Sequence, residues 1–110
     1  MMRKLILLSA TMLLATGAQA ASYKDGSYTG EGKGRESQIH VQVDVAGGKI
    51  AAVKVTKHGE TDMMIAAPIE MMLPEIVAKN GVDGVESVSG ATMSSDGIKA
   101  AVMNALAKAK

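Results

Sequence analysis

The sequence predicts a small α+β domain: an antiparallel sheet of about three strands with one hairpin, packed by two or three helices. Three observations carry this. Ile39, Val41, Val43 and Val45 are apolar at every second position, with His40, Gln42 and Asp44 between them, the period of a strand with one buried face. Gly47-Gly48 follows at once, and both glycines can take the positive φ angles of a tight hairpin turn. Near the end, Ile98, Ala101, Val102, Ala105, Leu106 and Ala109 form one apolar stripe at helical spacing.

The first twenty residues stand apart. Arg3 and Lys4 precede an apolar run from Leu5 to Leu14, and Ala18-Gln19-Ala20 supplies small residues where a signal peptidase cuts. That run is shorter than the roughly 20 residues a membrane span needs. The expectation is a secretory signal peptide over residues 1–20 and one domain over residues 21–110. The mature chain is expected to be soluble in the periplasm or another extracytoplasmic space. The chain has no cysteine, so neither a disulfide nor a thiolate metal site can reinforce it.

Within the domain, residues 22–34 carry four glycines around Tyr28 and Thr29, which predicts a short, irregular first strand with close backbone approaches. The hairpin follows, its second strand running through Ala51, Val53 and Val55 on the inner side. Residues 60–65 have no clean period and read as a loop. Ile69, Met72, Leu73, Ile76 and Val77 predict a helix over residues 66–79, with Pro68 in its first turn, Pro74 kinking or splitting it, and Asn80-Gly81 ending it. Ser94, Ser95 and Asp96 offer N-caps for the last helix.

Phe and Trp are absent, so the core is built from Val, Ile, Leu, Ala and Met, with Met71, Met72 and Met103 expected inside. Met63 and Met64 either fill a gap or pack against a ligand. Without the leader, ten basic side chains face 11 acidic ones, a net charge of −1 that gives no reason to expect nucleic acid as a partner. His40 and His58 have no second ligand at metal spacing, so no metal site is expected.

The segment before the last helix has its own chemistry. Gly90 allows an unusual backbone angle, Ser89, Thr92, Ser94 and Ser95 supply hydroxyls, and a helix start follows. Unpaired N–H groups and the positive dipole end suit such a place to a phosphate. Loop and capping duties account for the same residues, and composition alone favours them.

Glu86-Ser87-Val88-Ser89-Gly90-Ala91-Thr92 resembles the flavinylation motif of FMN-binding domains, Asp-x-x-Ser/Thr-Gly-Ala-Thr, with Glu86 where the family usually has Asp. Such domains occur in the sodium-pumping quinone reductase, in the Rnf electron-transport complex and as small stand-alone proteins. Asp25 to Gly34 is similar to their opening strand, and His58-Gly59-Glu60-Thr61 to their His-x-Glu-Thr segment near the flavin. The resemblance implies FMN joined through its phosphate to Thr92, with Ser89, Gly90 and Ala91 shaping the turn and Glu60 and Thr61 near the cofactor. It also implies a metal-dependent flavin transferase that uses FAD as FMN donor. The redox partner would be a membrane electron-transport complex, a cytochrome or a flavoprotein reductase. The sequence offers no acid–base pair of its own, so the expectation is an electron-transfer component rather than a stand-alone enzyme. Non-covalent FMN binding, and a structural or interaction domain that has lost its flavin, are the alternatives.

Overall fold

The computed structural model describes residues 23–110, and the signal peptide expected over residues 1–20 lies outside the described residues. Five elements follow in order: β1 Gly26–Lys33, β2 Gln38–Ala46, β3 Lys49–Lys57, α1 Asp62–Lys79 and α2 Thr92–Ala107. They make a single α+β domain with a three-stranded antiparallel sheet in the order β1-β2-β3. Helix α2 lies on β1 and β2, while α1 lies on β3 and touches α2.

Strand β2 forms the centre of the core, with Ile39, Val41, Val43 and Val45 all buried as their alternation requires. The hairpin turn has φ of 65° at Gly47 and 79° at Gly48, the left-handed pair that matches the twist of the two strands. On β3 the expected inner face is only partly right. Val41 faces Val55 and Val43 faces Val53, but a register shift sets Asp44 against Ala52 and Val45 against Ile50. Ala51 is therefore the extra residue of a bulge; it is exposed, and Ile50 takes the core position.

Strand β1 corrects the expectation of a short, irregular element. It pairs with β2 along its full eight residues, from Gly26 opposite Val45 to Lys33 opposite Gln38. Its glycines serve the helix above rather than any irregularity. A Cβ on Gly30 would overlap the carbonyl oxygen of Ala101 and come within 2.5 Å of the Ala105 nitrogen; one on Gly32 would overlap the Gly97 carbonyl. Gly97, Ala101 and Ala105 lie four residues apart on one line of α2, so helix backbone rests almost directly on strand backbone. The glycines of β1 facing Gly97, Ala101 and Ala105 are what permit this approach.

Helix α1 begins at Asp62, earlier than the expected residue 66, so most of the supposed loop is helical. Its buried stripe runs Ile65, Pro68, Met72 and Ile76, with Leu73 beside it, and Ile69 and Val77 lie at its margin. Pro74 neither splits the helix nor ends it. It is exposed, as is Glu70, whose carbonyl loses the helical partner that Pro74 cannot supply, and water can replace that bond. The helix ends at Asn80, as expected, with φ 57° and ψ 38°; the Gly81 N–H donates to Ile76 O at 3.0 Å. The Asn80 side chain also accepts the Ile50 N–H at 2.8 Å, joining the helix end to the start of β3.

Met72 is in the core, but Met71 and Met103 are exposed, against expectation. Met71 lies off the Ile65–Pro68–Met72–Ile76 stripe, and Met103 lies off the Ile98–Val102–Leu106 line.

Candidate functional site

The last helix starts at Thr92, at least three residues earlier than the expected caps would place it. Its N-cap is Ala91, and no side chain caps it. Ser94 and Ser95 are instead buried in the first turn. The Ser95 hydroxyl donates to Ala91 O at 2.7 Å and accepts the Val88 N–H at 3.0 Å, tying the preceding loop to the helix. Asp96 accepts the Ser87 hydroxyl at 2.6 Å.

The loop itself is a β-turn closed by the Ala91 N–H donating to Val88 O at 3.0 Å, with Ser89 and Gly90 as its central residues. Gly90 has φ of 86°, as the third position of a type II turn demands. A Cβ there would meet nothing within 4 Å, so the backbone angle, not space, calls for glycine.

Glu60 is buried and fully engaged. Its carboxylate accepts the N–H groups of Arg35, Glu36 and Ser37, each at 2.8 Å, the Ser37 hydroxyl at 3.1 Å and the Ser94 hydroxyl at 2.8 Å. Burial pushes its pKa up, but the hydrogen bonds from Ser94, Glu36, Arg35 and Ser37 outweigh this and hold it at about 2. Its own N–H donates to His58 Nδ1 at 3.1 Å. Glu60 thus clasps the β1–β2 loop to the first turn of α2.

Above this clasp lies a depression of about 340 Å³ lined by Arg35, Met64, Gly90, Ala91, Thr92, Met93 and Ser94. Of the residues singled out from sequence, Gly90, Ala91 and Thr92 meet here, and Glu60 lies behind Ser94. Thr61 precedes α1 and donates to Glu36 at 3.3 Å. Ser89 lines a separate hollow of about 540 Å³ with Met71, Glu75, Lys79 and Glu86. Sequence reasoning missed Arg35 and Met93 as lining residues. Arg35 is the one arginine among the described residues, but nothing in its local sequence shows that its loop returns to α2.

Thr92 is exposed, and its hydroxyl has no partner among the described residues. The N–H groups of Thr92, Met93 and Ser94 likewise have no partners there, and no acidic residue occupies the first turn of α2. Open amides, a helix dipole and a nearby arginine fit an anionic phosphate. The side chains of Met64 and Met93 fit a flat, largely apolar ring. The residues present therefore suit FMN.

A helix start with open amides beside an apolar wall is the kind of place at which a phosphorylated cofactor can be held. Residues 32–107 match the FMN-binding domain family, and the chain belongs to that family. It is 32% identical over 92 residues to an uncharacterized protein of Treponema pallidum (strain Nichols), an alignment covering 84% of this chain. The alignment spans only 25% of that protein's length. The fold is similar to the crystal structure of a Clostridium perfringens protein, with a TM-score of 0.62 and 24% identity, covering 79% of this chain and 88% of the other.

Proposed function

We propose that this FMN-binding domain is exported and carries its flavin covalently, as a phosphoester on Thr92, to move electrons outside the cytoplasmic membrane. The observation that carries the reading is the Thr92 hydroxyl, exposed and unpartnered on the wall of the depression. Attachment follows simple chemistry. The Thr92 oxygen attacks the phosphorus of the FMN half of FAD, the bond to the AMP half breaks, AMP leaves, and the hydroxyl proton passes to a base. Threonine is a weak nucleophile at neutral pH, so that base and a metal ion belong to a flavin transferase. Once bound, FMN supplies the redox chemistry; the protein supplies attachment, orientation and electrostatics. Its electrons would pass to or from a membrane electron-transport complex, a cytochrome or a flavoprotein reductase.

The test is the intact mass of the protein exported from a host with an active flavin transferase, beside Thr92→Val. A gain of one FMN ester that survives denaturant and vanishes in the variant supports the reading. FMN that leaves on denaturation sinks the covalent part and leaves a non-covalent carrier. If neither protein holds flavin while the transferase modifies another substrate, the domain serves some purpose without flavin.

A further inference from the structure

Glu60 creates an electrostatic problem for the site it supports. Its carboxylate is linked through the Ser94 hydroxyl to the first turn of α2, the same turn that presents open N–H groups to the depression. A fixed negative charge one hydroxyl away weakens any anion held at that helix start. A nearby cation is needed to offset it.

Arg35 fits that need. Its backbone N–H donates to Glu60 at 2.8 Å, so the clasp that brings the negative charge also fixes the arginine's backbone. The side chain lines the depression together with Thr92. It has no ion pair among the described residues, and the adjacent Glu36 is turned towards the Thr61 hydroxyl. A guanidinium offers a rigid fork of donors matched to phosphate oxygens.

We infer that Arg35 is the phosphate-positioning residue of this domain, held opposite Thr92 by Glu60, and that it makes the site prefer a phosphorylated flavin over one without phosphate. This rests on reading the depression as the FMN site. It gives the Arg35–Glu36–Ser37 loop a role that the flavinylation motif does not contain. It also accounts for Glu60 being wholly occupied by that loop and Ser94.

The experiment compares FMN with riboflavin, which differ by the phosphate. Binding of each to the apo chain is followed by flavin fluorescence for the wild type, Arg35→Gln and Arg35→Lys. Covalent uptake by the wild type from FAD and transferase is measured by mass in parallel. The wild type is expected to bind FMN about tenfold more tightly than riboflavin, the size of one charge-assisted contact. Arg35→Gln should bring that ratio close to one, and Arg35→Lys should restore part of it. A ratio untouched by Arg35→Gln overturns the inference, as does a wild type that takes covalent FMN yet shows no preference for it over riboflavin. A wild type that neither binds nor takes up FMN instead removes the underlying reading of the site. Since Arg35 is exposed, its replacement leaves the core intact and the comparison interpretable.

Discussion

The Ser94 hydroxyl donates a 2.8 Å hydrogen bond to Glu60 across 34 residues of sequence, joining the first turn of α2 to the segment that leads into α1. Glu60→Ala removes the acceptor for this bond and for three backbone N–H groups at once. Partly buried donors left without partners cost about 2–4 kcal/mol in total, and urea unfolding is expected to read a loss of that order.

The same carboxylate sets a pH dependence. Its pKa of about 2 in the folded protein lies below the usual 4.5, so the unfolded chain takes up the proton first as acid is added. The stabilisation is therefore complete above about pH 4.5 and is lost as pH falls towards 2. Unfolding midpoints measured from pH 7 down to 2 should decline more steeply for the wild type than for Glu60→Gln. Parallel profiles would show that the carboxylate is not the group responsible.

Gly30 and Gly47 separate two reasons for glycine. A Cβ at Gly30 would strike helix backbone, and Gly30→Ala is expected to cost about 3 kcal/mol or prevent folding. A Cβ at Gly47 would meet nothing within 4 Å, and the cost of Gly47→Ala is the left-handed φ alone, about 1 kcal/mol. Gly47→Asn, which tolerates that angle, should be nearly neutral. Denaturant titration of the three variants checks the order.

Asn80 combines a left-handed backbone with a side-chain acceptor. Asn80→Gly keeps the backbone angle but removes the acceptor for the Ile50 N–H, at a cost of about 1 kcal/mol. Asn80→Ala adds the strain of a left-handed alanine, roughly 1 kcal/mol more. A thermal melt that ranks alanine above glycine would contradict this account.

Methionine oxidation reports on the site from its surface. Met63 is 87% exposed and Met93 is 57% exposed, whereas Met72 is 1% exposed. Mild peroxide followed by peptide mapping should convert Met63 and Met93 readily in the apo chain and spare Met72. With FMN attached, Met93 should be protected and Met63 should not. Equal oxidation of Met93 in both forms would place the ring elsewhere.

Much of this was legible in the sequence where a periodic pattern met a single partner. Val41 and Val43 alternate with polar residues and lie on one buried face; Ile98, Ala101 and Val102 form the expected helix stripe. The failures have physical causes. Ala51 is displaced by a bulge that shifts the alternation by one residue, so Ile50 takes the core place that the Ala51–Val53–Val55 period gave to Ala51. Met63 and Met64 hid the start of α1, since the anchoring residue there is Ile65 with Pro68 behind it. Ser94 and Ser95 carry the residue types of a cap, but Ser95 bonds back to Ala91 from inside the first turn. Thr92, Gly90 and Ala91 were recognisable as a motif. Arg35 was not, because its place opposite them comes from the return of a loop in space.

The contact between Gly30 and Gly32 on one side and Gly97, Ala101 and Ala105 on the other has a mechanical meaning. Most packed surfaces adapt to small shifts by choosing new rotamers, but a seam of glycine and alanine has none to choose. Any side chain on the strand side would strike helix backbone, so the helix lies on the strand at a separation that only glycine there allows, like a key in its slot. Thr92 stands at the end of that key. A flavin joined to its oxygen, as proposed, would inherit a fixed origin, with only the few bonds beyond that oxygen free to turn.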